Sequence, residues 1–298
     1  MKTPNIIHIS WHDTDRHFGC YGVSSVYSPN VDALAADGVR LARAFSCAAV
    51  CSPSRGGCLT GLYPQRNGLL HLCHSKFPHR FNKDTWHLSQ LLQDRGYTTA
   101  LHGFQHEVPH ADVRTRLGFD EVVNADPAPP IYPIPPCDTV AEGACEYLRQ
   151  RAGKPEEPFY LQLGFFETHR AYSFGGCEPD DSQGITIPSY LVDNEKARTD
   201  HAALQGAIRK ADAAVGRVLD TLRSVGLEDN TLVIFMPDHG LANPRAKATL
   251  YDPGISIASI WRWPGGGLQG GRTEEALFSN VDVVPTLYGL LGWDDPVG

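Results

Sequence analysis

Short apolar runs alternate with amphipathic stretches along most of the chain. NIIHIS (5–10) reads as a buried first strand. SPNVDALAADG (28–38) reads as a helix, with Ser28 as N-cap, Pro29 in the first turn and Gly38 as the stop. DTWHLSQLLQDRGYTTALHG repeats the unit: a helix, a glycine stop at Gly96, and a strand over 97–101. Further strands are predicted over 159–166 (FYLQLGFF), 231–236 (TLVIFM) and 255–262 (ISIASIWR). Between them come a long helix from about Asp200 to Ser224, stopped at Gly226, and after them a helix over 281–291.

This alternation predicts an α/β fold with a largely parallel central sheet and helices on both faces. In such sheets chemistry collects at the carboxyl ends of the strands. Four polar clusters fall there: WHDTD after the first strand, HGFQHE after 97–101, ETHR after 159–166 and PDHG after 231–236.

Composition narrows the class. A chain of 298 residues, 42% hydrophobic and 20% charged, is long enough for a substantial core and is read as a single catalytic domain over 1–298. A net charge of −8 argues against a general nucleic-acid binder, so any bound anion is gripped locally. No run is long enough to span a membrane, and MKTPNIIHIS shows no signal peptide. The eight cysteines are scattered without a CxxC pair, which fits reduced thiols and a cytoplasmic location. The proline-dense 124–137 is expected to form an extended strap, and 177–190 an insertion loop of the kind that sets substrate choice.

Several residues carry candidate chemistry. Asp13 and Asp238, beside His12 and His239, offer the oxygen and nitrogen donors of a divalent-metal site, or each aspartate caps a turn. His106, His169 and Lys247 are candidate proton donors or anion contacts. In HLCHS, His71, Cys73 and His74 match no zinc spacing, which leaves a loop with one substrate-facing histidine, His74. In AVCSPSRGGCLTGLYP (49–64), Arg55 stands one helical turn from Cys51. Either it lowers the thiol's pKa or the thiol is not the final chemistry.

The stretch CSPSRGGCLTGLYP resembles the signature of the type I sulfatases, Cys-x-Pro-Ser-Arg followed by Leu-Thr-Gly, in the alkaline-phosphatase-like superfamily. The likeness extends in order through PNIIHIS with Asp13, GCYG, SPNVDALAADGV, GYTTALHG, PFYLQLGFFETH, TLVIFMPDHG, KATLYDPGISIASIWRWPGG and VDVVPTL. Its flavour is that of heparan N-sulfatase-like bacterial members. The resemblance implies that Cys51 is oxidised to formylglycine, with a formylglycine-generating or anaerobic sulfatase-maturating enzyme as partner and Pro53 and Ser54 as its recognition residues. It further implies a sulfated small molecule or glycan as substrate, cleaved at a sulfate ester or sulfamate.

By the same resemblance Asp13, Asp238 and His239, with His12 as ligand, supporting group or neither, would bind Ca2+, or Mg2+, Mn2+ or Zn2+. Arg55 would hold the aldehyde hydrate, and His106, His169 and Lys247 would complete the catalytic set. His74, Arg170 and Glu107 would contact substrate. The chain departs from the family in His12-Asp13 where paired aspartates are usual and in Phe104 where a lysine is common, and is expected to be without the family's full C-terminal subdomain. The alternatives are a phosphonate or phosphate ester hydrolase of the same superfamily and a non-catalytic anion- or glycan-binding relative.

Overall fold

A computed structural model describes residues 2–74, 79–123 and 134–293. The strands in chain order are β1 (Asn5–Trp11), β2 (Val39–Phe45), β3 (Thr98–Gly103), β4 (Glu121–Val123), β5 (Phe159–Gly164), β6 (Thr231–Pro237), β7 (Ile260–Arg262) and β8 (Arg272–Ser279). They form one sheet in the order β4-β3-β5-β1-β6-β7-β2-β8. All pairings are parallel except those of β7 with β6 and with β2, so the expected parallel sheet carries one antiparallel insertion.

The helices are α1 (Pro29–Asp37), α2 (Cys51–Thr60), α3 (Pro64–Asn67), α4 (Leu88–Asp94), α5 (Cys137–Ala152), α6 (Glu195–Ser224), α7 (Asp252–Ile255) and α8 (Val283–Leu291). Strand alternation splits the core in two. Ile7, Ile9 and Trp11 of β1, with Leu161 of β5 and Phe235 of β6, pack beneath α5 and α6. Ile6, Tyr160, Leu232 and Ile234 point the other way, into the core that holds Cys58 and Leu59 of α2, Leu88 of α4 and Leu287 of α8. The even positions His8 and Ser10 share this second face, which turns Ser10 toward α2.

Several elements differ from expectation. The long helix starts earlier than Asp200, at Glu195, because Asn194 accepts the Ala197 amide at 2.9 Å as its N-cap. Ser28 makes no capping bond to α1; the Asp212 carboxylate of α6 accepts the Asn30 and Val31 amides instead, at 3.1 and 2.8 Å. Of the strand expected over 255–262, Ile260–Arg262 forms β7, while Ser256 makes an isolated antiparallel bridge with Phe45 of β2. Upstream, Ile257 donates its amide to the Ala44 carbonyl of β2 at 3.1 Å, and Ala258 donates to the Asp15 carbonyl at 3.0 Å and so braces the loop after β1.

Residues 124–133 of the expected strap lie outside the described residues, and Cys137 at its end already begins α5. The 177–190 loop lies against α6, where Gln205 Nε2 donates to the Asp180 and Gly184 carbonyls at 2.8 and 3.0 Å. Among the described residues, no helix is long and apolar enough to cross a membrane.

Candidate active site

Register places the two aspartates together. Trp11 and Pro237 are partners at the ends of β1 and β6, so His12-Asp13 and Asp238-His239 leave the sheet side by side. The Asp13 amide donates to Asp238 Oδ1 at 3.0 Å, and Asp13 holds a positive φ of 41°, in a turn that folds its carboxylate back over the strand ends. Both aspartates are buried.

Helix α2 brings Cys51 to the same point at its first residue. The Asn280 side chain fastens this helix start: its Oδ1 accepts the Cys47 amide at 2.8 Å, and its Nδ2 donates to Ser54 O and Oγ at 3.0 and 2.9 Å. The Ser54 hydroxyl donates onward to the Asp238 carbonyl. Arg55, 2% exposed, uses all three nitrogens inward: Nε to Asp238 Oδ2 at 3.1 Å, Nη1 to Ser10 Oγ at 2.8 Å and Nη2 to the Trp11 carbonyl at 3.0 Å. Arg55 therefore locks α2 to β1 and β6. It does not produce a ready thiolate, because burial, then Asp238 and Asp13, push the Cys51 thiol up against the weaker pull of Lys247 and Arg55.

The donor set fits a divalent cation. Donor atoms of His12, Asp13, Cys51 and Asp238 all lie within 4.8 Å of one another. His239 Nδ1 lies 2.9 Å from the Gly240 carbonyl, which can only accept, so that nitrogen carries the proton. Its other ring nitrogen, Nε2, lies 3.2 Å from Asp13 Oδ1, 3.7 Å from Asp238 Oδ1 and 3.3 Å from the Cys51 sulfur. An imidazole nitrogen, two carboxylates and a sulfur gathered round one point are donor types that a divalent cation takes. Neither ring nitrogen of buried His12 makes a hydrogen bond, although Nδ1 lies 3.1 Å from Asp238 Oδ2. Burial, then Arg55, lowers the His12 pKa to about 3, so the ring is neutral and its lone pair available. Lys247 Nζ contacts both Asp13 oxygens, at 3.0 and 2.7 Å, where a cation would otherwise sit.

Aromatic rings wall the site. Phe104 packs, tilted, between His12 and Phe166, at 4.7 and 5.0 Å between centroids, and lies under the Arg55 guanidinium at 5.8 Å. Gly164 makes this approach feasible: a Cβ there would stand 1.7 Å from the Phe104 carbonyl. His169 stacks on Phe166 at 4.7 Å and reaches His12 edge-on at 5.4 Å. His106 Nε2 meets His74 Nδ1 at 2.6 Å.

Of the residues expected at the site, Cys51, Arg55, Asp13, Asp238, His239, His12 and Lys247 meet directly, and His106, His169 and His74 line the approach. Arg170 sits half-exposed at the mouth, its guanidinium paired with both oxygens of Asp200 and with Asn243 Oδ1 at 3.1 Å. Glu107 departs from the expectation of substrate contact. Its carboxylate is fully buried beneath His106, whose amide it accepts at 3.1 Å, and is cut off from anything that enters by the mouth. Asn280, Ser10 and Phe166 carry no expectation from the sequence, and Ser54 and Phe104 take roles other than the expected ones, as a tie to Asp238 and as a wall; the Ser279/Asp282 capping box that holds Asn280 in place is the one local signal. Beside Arg170 a cavity of about 970 Å³ opens, lined by Tyr190 from the end of the insertion loop, Val192, Asp200, Asn243 and Arg245.

The family model described as Sulfatase matches residues 4–293. The chain belongs to the sulfatase family. It is 29% identical over 92% of its length to the human N-sulphoglucosamine sulphohydrolase and 31% identical over 99% to an ulvan-active sulfatase of Formosa agariphila. It spans about half the length of these curated relatives, 57% and 55%. Solved structures share the fold. A Bacteroides thetaiotaomicron protein from work on glycosaminoglycan metabolism superposes with a TM-score of 0.81 at 23% identity, covering 100% of this chain and 74% of that one. The phosphonate monoester hydrolase of Agrobacterium radiobacter gives 0.75 at 22% identity, covering 97% and 74%. The chain thus shares the fold of these structures, and its metal-fitting cluster stands at the carboxyl ends of the central strands.

Proposed function

We propose that residues 1–298 form one catalytic domain that removes sulfate from a sulfated saccharide, as an O-ester or a sulfamate. The observation that carries this reading is the convergence of Cys51, Arg55, Asp13, Asp238 and His239, from three separate elements, on one buried point. Asp13 and Asp238 are balanced by Arg55 and Lys247, so the addition of a divalent cation leaves the cluster with a net positive charge suited to a sulfate group.

Asp13, Asp238, His239 and His12 would hold the cation, which would supply Lewis acidity toward a sulfuryl oxygen. The carboxylates suit calcium or magnesium and the imidazoles manganese or zinc, and elemental analysis of the isolated protein chooses among them. Oxidised to formylglycine by a maturating enzyme, residue 51 would supply a hydrated aldehyde in place of a thiol. Arg55 keeps α2 seated on the two strand ends, and so fixes where residue 51 points. Lys247, a quarter exposed and held charged by Asp13 against the cost of burial, is placed to meet an incoming anion. His169 and His106, on the approach, are placed to pass protons to and from the leaving group and residue 51.

The cavity beside Arg170 supports a saccharide as the group carrying the sulfate, because it combines Arg245 and Asn243 with the Tyr190 ring. One relative is named for N-sulphoglucosamine and another for ulvan, which supports both a sulfamate and a sulfate ester as targets. The scattered cysteines support a reducing, cytoplasmic setting. The test is a panel of N-sulfated glucosamine, O-sulfated saccharides and a phosphonate monoester. It is run on protein co-produced with a formylglycine-generating enzyme, with the mass of the residue 51 peptide checked. Sulfate release that tracks the modified fraction supports the reading. Faster phosphonate cleavage would move the chain to the phosphonate hydrolases, and inertness of fully modified protein toward every member would leave an anion-binding relative.

A further inference from the structure

We infer that Cys73, His74 and His106 form a second cation site at the mouth of the pocket, selective for a soft divalent ion such as Zn2+. The Cys73 sulfur and one ring nitrogen from each histidine lie within 4.8 Å of one another. Cys73 and His74 come from the loop after α3, while His106 follows β3, so no linear zinc spacing announces the trio. The sulfur is buried and lies 3.4 Å from the His106 carbonyl, which places it beside the imidazole pair.

The histidine nitrogens confront each other at 2.6 Å, with ring centroids 4.5 Å apart. Two Zn–N bonds of about 2.0 Å at a tetrahedral angle set the nitrogens about 3.3 Å apart. The pair must therefore open by about 0.7 Å, and the exposed His74 ring is free to swing outward that far. Three protein donors leave a fourth position open to solvent. Sulfur with two imidazoles and no carboxylate selects zinc or copper over calcium and magnesium. Binding forms a sulfur–metal bond and releases the Cys73 thiol proton, so affinity rises with pH. A cation held there also occupies the His106 lone pair. That makes it an inhibitor of turnover, a consequence that rests on the role given to His106 above, while the binding does not.

The test uses Co2+ as a spectroscopic probe on the full chain carrying Cys51→Ala, which removes the thiol of the other cluster. The expected result is a thiolate-to-cobalt charge-transfer absorption saturating at one equivalent, displaced by Zn2+ and not by Ca2+. Adding Cys73→Ser abolishes the band with circular dichroism unchanged, and adding His74→Ala weakens cobalt binding by at least about tenfold. Absence of the band, its persistence in Cys73→Ser, or displacement by Ca2+ as readily as by Zn2+ overturns the proposal. Should Cys73→Ser fail to fold, His74→Ala decides alone, because an unchanged cobalt affinity there removes His74 from the site and the site with it.

Discussion

Asn280→Ala isolates the device that fastens the nucleophile helix. Asn280 is 2% exposed and makes three hydrogen bonds, accepting the Cys47 amide and donating to Ser54 O and Oγ. Truncation orphans the Cys47 amide, at about 1–3 kcal/mol, and deletes two further bonds worth about 0.5–1.5 kcal/mol each. A loss of about 3 kcal/mol is a cautious sum, since the bonds share one side chain. Unfolding entropy of about 2.1 cal/mol/K per residue gives about 0.6 kcal/mol/K for 298 residues, so Tm should fall by about 5 °C. Asn280→Asp keeps the shape and the acceptor for Cys47 but turns an oxygen on the Ser54 carbonyl, and should cost at least as much at neutral pH. Thermal unfolding followed by circular dichroism reads both variants. A Tm within about 1 °C of the parent for Asn280→Ala, or an Asn280→Asp variant as stable as the parent, would show that α2 is held by something else.

Asp13→Ala and Asp238→Ala should each lower bound divalent metal by at least about tenfold after dialysis, read by elemental analysis; full occupancy in either variant means the cation sits elsewhere. Lys247→Ala should tighten metal binding severalfold while slowing turnover, because the ammonium competes for both Asp13 oxygens; weaker metal binding in that variant would reverse the reasoning. Phe104→Lys should cost about 1–3 kcal/mol, since the ring's packing on His12 and Phe166 is lost and a second cation is pushed toward Arg55; denaturant unfolding that leaves the midpoint unchanged would mean the lysine turns out of the wall.

The strand ends were legible in the sequence because β1, β3, β5 and β6 are buried runs and each is followed within three residues by polar ones. Metal donors on two such ends, with a cysteine-arginine pair on a helix start, needed only the sheet register to become neighbours. What stayed hidden lacks periodic signal. β8 (Arg272–Ser279) is exposed along most of its length as the sheet edge, so no alternation marks it. The segment 255–262 looks like one strand, but its first half spends its amides on the Ala44 and Asp15 carbonyls. Phe104 reads in the sequence as a missing cation, whereas in the fold it is a wall beneath Arg55. Its meaning depends on Gly164 in a neighbouring strand, a contact no local pattern encodes.

Inorganic sulfate released by the matured parent and by Cys51→Ala, side by side on the best substrate of the panel, tests the central claim most directly. Cys51→Ala deletes only the position at which α2 presents its first side chain to Asp13, Asp238 and His239, and leaves Arg55 and the aspartates in place. The parent should release sulfate and the variant should lose at least about a thousandfold of that rate with its Tm preserved. A Cys51→Ala protein that releases sulfate at a rate close to the parent's would contradict the claim.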